Sequence, residues 1–91
     1  MTSFSIITVV FNDVHNIDET IKSVLSQTHQ QVEYIIIDGS STDGTLEIIR
    51  RYPSIILVSE TDDGLYSAMN KGLKLASGDY VNFAKEQRFF L

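Results

Sequence analysis

Residues 35–45 read IIIDGSSTDGT: an apolar run ends on an acid, Asp38, and Gly39 follows at once. A carboxylate loses hydration on burial unless something pairs with it. An external partner would be a heterocycle N–H or a sugar hydroxyl, with Gly39 leaving a flat ligand free to approach the backbone. An internal partner would be the backbone N–H groups of a tight strand-to-helix turn, accepted by Asp38 in an Asx arrangement. The residues alone leave both open. Asp43, in STDGT, is read as a helix cap, an effect of about 0.5–2 kcal/mol. Glu60, Asp62 and Asp63 crowd a loop further on, which is either a solvated acidic face or a holder for a ribose or a lysine. Lys71 is the lysine that follows, placed to neutralise those acids or to meet a diphosphate.

Other chemistries lack their residues. There are no cysteines, which excludes disulfides and thiolate metal sites. His15 and His29 are too far apart and too unsupported to suggest a metal pair. Neither GxGxxG nor GxxxxGK[S/T] occurs, so dinucleotide and P-loop readings have no motif. HExxH and a serine nucleophile elbow are absent as well. The net charge of −5 with scattered basic residues argues against nucleic acid as a partner.

The elements that must position these groups follow from patterning. FSIITVVF (4–11) is β-branched and uncharged, the habit of a strand covered on both faces. Ile17, Ile21, Val24 and Leu25 fall at helical spacing, with Asn16 and Glu19 as a capping box. A second strand spans 33–37, a short helix 44–51, and a third buried strand 55–58 after Pro53. In GLYSAMNKGLKLASG, Leu65, Met69 and Leu73 recur every fourth residue with Ala76, predicting a helix with that inner face, closed by Gly78. DYVNF (79–83) is a fourth strand.

Strands alternating with helices imply right-handed parallel crossovers and an open α/β sheet of about four strands and three helices, Rossmann-like. Such sheets bind ligands beyond the carboxyl ends of their strands. Here those ends carry Phe11–Asn12–Asp13, Asp38–Gly39–Ser40 and Ser59–Glu60–Thr61–Asp62. Ninety-one residues, 43% hydrophobic and 21% charged, fit one soluble domain or part of one. No apolar run approaches the ~20 residues of a membrane span. The start MTSFSIITVVF has no basic residue ahead of its apolar part, so it is a poor signal peptide, and cytoplasmic residence, with peripheral attachment at the inner membrane face as a variant, is the expectation.

Taken in order, SIITVVFNDVHNIDETIKSVLSQTHQQVEYIIIDGSSTDGT and SETDDGLYSAMNKGLKLASGDYVNF resemble the amino-terminal half of family 2 glycosyltransferases, over residues 3–83. The resemblance implies a partial GT-A fold: residues 1–83 as the half that binds a nucleotide-diphosphate sugar, and 84–91 as a divergent tail. It implies that Thr8, Val10, Phe11 and Asn12 line the nucleoside pocket and that Asp38 contacts the base, commonly uracil. Glu60, Asp62 and Lys71 would border the ribose and diphosphate.

Many relatives carry two adjacent acids where this chain has Asp38–Gly39. The family continues into a DXD-type motif that binds Mg²⁺ or Mn²⁺; here the chain reads AKEQRFFL, with Glu86 its only acid, so the metal site is expected to be missing and no residue is assigned as catalytic. The expectation is a chain that ends before the DXD motif and binds UDP-sugar without catalysis; Phe83, Phe89, Phe90 and Leu91 are either part of an uncovered face through which it self-associates or a frayed terminus. The rivals are a receiver-like, non-catalytic α/β module and a folded remnant that binds nothing.

Overall fold

The computed structural model describes residues 3–27, 32–61 and 64–84. Strands β1 (Phe4–Val10), β2 (Val32–Asp38), β3 (Ile56–Ser59) and β4 (Tyr80–Phe83) alternate with helices α1 (Ile17–Gln27), α2 (Thr45–Ile49) and α3 (Leu65–Leu75). All pairs are parallel, in the order β3-β2-β1-β4. The α/β class, strand number and helix number are those the alternation predicts. The order has a direct cause. Two crossovers step from β1 to β2 to β3 in one direction, and the third returns across the sheet to place β4 on the other side of β1, an order that right-handed connections produce with helices on both faces.

That return puts helices on both faces. Val10, Tyr34, Ile36 and Ile55 pack with Ile17, Ile21, Val24 and Ile49 on the α1/α2 face. Ile7, Val9, Ile35 and Ile37 pack with Ala68 on the α3 face. Each Ile or Val side chain fully buried this way contributes about 1.5–3 kcal/mol. The β1 and β2 runs carry Ile and Val at successive positions because both of their faces are covered. β3 is an edge strand, and Ile56 is exposed, where the sequence reading expects burial.

Three local expectations are corrected. Leu73, expected on the inner face of α3, is exposed, while Ala68 is fully buried. A Cβ on Gly72 would lie 2.6 Å from Ile7 Cγ2. Small residues bring α3 close to β1, and the bulky Leu73 turns outward. The helix ends at Leu75 with an extended Ala76, and Gly78 serves instead as a close-approach site: its Cβ would meet the Phe4 carbonyl carbon at 2.7 Å. At the start of α1, the Asn16 amide donates to Asp13 Oδ1 (3.1 Å) and the Asp13 carbonyl accepts from the Asn16 and Ile17 N–H groups. An Asp13-centred turn thus replaces the expected capping box.

Phe83 is half-buried against the α3-face core; Phe89, Phe90 and Leu91 lie outside the described residues, as does the tail beyond Ala84. Among the described residues, no helix is long and apolar enough to cross a membrane.

The amino end of the sheet is closed by Glu33. It accepts from Ser5 Oγ (2.8 Å), Ser77 N (3.0 Å) and Ser77 Oγ (3.0 Å), tying the α3–β4 connection to β1 and β2. The Ser77 N–H, then the Ser5 hydroxyl, hold the Glu33 carboxyl below its usual range. The Thr45 hydroxyl does the same for Asp43. Both carboxyls take up a proton less readily folded than unfolded. Their contribution is therefore complete above the ordinary values of 4.5 and 3.8 and is lost as pH falls through the depressed folded values. The melting temperature, followed by circular dichroism, is expected to drop on acidification below pH 4.5, with a shallower acid slope in Glu33→Gln. An unchanged slope in that variant would count against the Glu33 clasp.

Candidate functional site at the carboxyl rim

Register aligns the strand ends that carry the polar loops: Val10 pairs with Asp38, and Asp38 with Ser59. On the other side of β1, β4 is described as far as Phe83, opposite Ile7. Between β1 and β4 the connection order reverses, and at such a switch point the loops diverge and leave a crevice.

Asp38 sits at the centre of this rim and is fully buried. Its Oδ2 accepts from Ser41 N (2.8 Å) and Ser59 Oγ (2.9 Å), and its Oδ1 accepts from Ser41 Oγ. Of the two partners the sequence leaves open, the structure supplies the internal one. The Ser40–Ser41 turn needs such an anchor, because Ser40 has a left-handed backbone (φ 67°) that residues with a Cβ adopt at some energetic penalty.

The β1–α1 loop locks onto this turn. Asn12, also left-handed at φ 48°, donates its N–H to Ser41 Oγ (2.7 Å) and accepts from Thr42 N through Oδ1 (2.8 Å). Asp13 N donates to Thr45 Oγ1 (2.8 Å), and Val14 N to Asp43 Oδ2 (3.1 Å). Asp43 also accepts from Thr45 N (3.1 Å) and so joins two loops, but the N-cap of α2 is Gly44, with no side-chain cap, where the sequence reading expects Asp43. On the far side, Ser40 Oγ meets Thr61 Oγ1 at 3.3 Å. Lys71, on α3, pairs with Glu60 (2.8 Å) and donates to the Thr61 carbonyl (3.4 Å).

Of the residues singled out in the sequence, Phe11, Asn12, Glu60 and Lys71 lie at this rim, with Phe11, Asn12 and Glu60 exposed. Thr8 and Val10 are wholly buried. Strand alternation turns their side chains toward α1 and α2, beneath the rim rather than on it. Asp62 falls outside the described residues. Ser41 and Ser59, which hold Asp38, and Thr45 were not among the candidates. Ser41 was readable as the local donor of an Asx turn; Ser59 is placed only by the β2–β3 register.

Divalent metal chemistry needs several oxygen ligands. Among the described residues no three His, Cys, Asp or Glu side chains gather, and both Asp38 oxygens are already engaged. The described residues do not fit Mg²⁺ or Mn²⁺.

An open, doubly wound parallel sheet whose interlocked polar loops crown a switch point is a Rossmann-like α/β domain, a type that binds ligands at that point. Its order differs from a receiver's, in which β1 lies between β2 and β3; here β1 lies between β2 and β4. Residues 5–84 match the profile of glycosyl transferase family 2, and the chain belongs to that family.

The Bacillus subtilis protein named as teichuronic acid biosynthesis glycosyltransferase TuaG is 40% identical over 84 residues, covering 87% of this chain and 33% of the relative. The mannosyltransferase PcManGT from Pyrobaculum calidifontis, solved with GDP-Man and Mn²⁺, superposes with a TM-score of 0.81 at 28% identity, over 88% of this chain and 26% of that one. Staphylococcus aureus TarS 1–349 gives 0.83 at 27% identity over 92% and 27%; a complex of it with UDP also matches. The fold is thus the Rossmann-like portion of a GT-A domain. The chain spans about a third of the length of the curated relatives it matches.

Proposed function

We propose that the whole protein transfers a sugar from a nucleotide-diphosphate sugar to a glycan or lipid-linked acceptor in polysaccharide biosynthesis, and that residues 1–83 bind the nucleotide without performing the transfer. The observation that carries this reading is the rim at the β1/β4 switch point, built from loops that Asp38 and Asn12 hold in one arrangement. The base is placed against Phe11, Asn12 and the Asp38-anchored turn, with UDP as the preferred nucleotide. Asp38 acts through that turn, because its carboxylate is fully buried beneath the rim. Lys71 is close enough to the rim to exchange Glu60 for a diphosphate. Inverting transfer also needs a base for the acceptor hydroxyl and charge stabilisation on the departing diphosphate, and neither is assigned to residues of this chain. The GDP-Man named with PcManGT and the UDP named with TarS support the donor class.

Calorimetric titration of the 91-residue chain with UDP and with GDP, each with Mn²⁺, is expected to give saturable heat, larger for UDP. Asn12→Ala is expected to weaken it about tenfold, the loss of one well-placed bond of roughly 1.4 kcal/mol. Heat equal to dilution for both nucleotides would remove the reading.

A further inference from the structure

Tyr34 carries a phenol into the α1/α2 core, where it is only 4% exposed. Its hydroxyl lies 2.8 Å from Thr8 Oγ1, and Thr8 Oγ1 lies 2.6 Å from the Ala84 carbonyl. The direction of both bonds is fixed by valence. A carbonyl only accepts, so the single Thr8 proton goes to Ala84, and Tyr34 must donate to Thr8. Burial pushes the Tyr34 phenol above its usual range, so it keeps that proton.

The relay Tyr34 to Thr8 to Ala84 crosses from β2 through β1 to the end of β4. Ala84 is gripped a second time, its N–H donating to the Ile7 carbonyl (2.9 Å). Both backbone polar groups of one residue are thus held by β1 where the chain leaves β4. The place matters. β2 accompanies β1 as far as Val10, whereas strand pairing with β4 ends at Ile7. Among the described residues the relay is therefore the last grip of β4 on β1, with the exposed Phe11 and Asn12 following at the end of β1.

We propose that Tyr34 and Thr8 are positioning residues for the nucleotide crevice: their hydroxyl relay draws the Ala84 carbonyl down onto β1 and so fixes the end of β4 beneath the rim. This rests on the nucleotide-binding reading above. The relay also explains why a tyrosine and a threonine occupy core positions that Phe and Val would fill without buried hydroxyls needing partners.

Tyr34→Phe keeps the ring and Thr8→Val keeps the shape, each deleting one hydroxyl; Thr8→Ser restores it. Amide hydrogen exchange by NMR is expected to show Ala84 exchanging about tenfold faster relative to Ile36 in Tyr34→Phe and Thr8→Val, with protection regained in Thr8→Ser. UDP affinity, by calorimetry, is expected to fall roughly five- to tenfold in the same two variants and to recover in Thr8→Ser. Unchanged relative exchange at Ala84 would overturn the relay. A loosened Ala84 with full UDP affinity would overturn the positioning role and leave only a packing contact. A wild-type chain that binds no nucleotide removes the preceding reading and the positioning role with it, while the exchange comparison still decides the relay.

Discussion

Asp38→Ala is expected to destabilise the chain by about 3 kcal/mol, measured by urea unfolding with circular dichroism. Three donors converge on the buried carboxylate: Ser41 N–H, Ser41 Oγ and Ser59 Oγ. The hydroxyls can rotate toward other acceptors, but the Ser41 N–H is fixed by the turn, and a buried donor left unpaired costs roughly 1–3 kcal/mol. The turn then loses its anchor while Ser40 retains a left-handed backbone that must be compensated. Because Ser41 Oγ also accepts from Asn12 N (2.7 Å), the disturbance spreads to the β1–α1 loop, and UDP binding is expected to fall with it. Asp38→Asn keeps one good acceptor and should lose about half as much stability. A loss below about 0.5 kcal/mol in the alanine variant, the scatter of ordinary surface changes, would show that the carboxylate does not anchor the rim.

Gly78→Ala carries the second large effect, again about 3 kcal/mol and at the upper end of overpacking. The added methyl would stand 2.7 Å from the Phe4 carbonyl carbon and 2.8 Å from Ser5 N. These are backbone atoms of the central strand, which cannot rotate aside as a side-chain tip can. Relief requires β1 and the segment entering β4 to separate, which pulls Gly78 N from Ser5 Oγ (2.9 Å) and Ser77 from Glu33. Thermal melting should fall by roughly 10 °C or more. A melting temperature within about 2 °C of wild type would mean that the connection yields at little cost and that the close approach at Gly78 is not required.

The strands were legible because their burial is one-dimensional information: Ile35, Ile36 and Ile37 in succession require cover on both faces, and alternation with helices then allows few topologies. Helix α3 was legible in extent but not in orientation. Counting large apolar residues selected Leu73, whereas contact with Ile7 is made where Ala68 and Gly72 are small. Packing distance decided the face, and periodicity alone does not encode it.

At the rim, Asp38 announced itself as an acid in an apolar context, and the turn that satisfies it involves a serine three residues on. Ser59 and the Tyr34–Thr8–Ala84 relay were hidden because their partners meet only after the sheet is assembled; Thr8 and Ala84 are separated by 76 positions. The resemblance to family 2 glycosyltransferases was carried by loop motifs, and the loops Asn12–Asp13–Val14 and Ser41–Thr42–Asp43 are joined by reciprocal bonds, a physical reason for such residue types at both places.

The position of β4 beside β1 also shapes how this chain comes to fold. Of the four described strands, β1 is synthesised first and β4, its second neighbour, last, so closing that ladder demands a contact between strands far apart in the sequence. Loop-closure entropy makes such a late, distant pairing slow relative to the β1–β2–β3 arrangement. During synthesis one flank of β1 stays without its ladder until residues 80–83 emerge from the ribosome, an interval in which a chaperone or another nascent strand can compete for that edge.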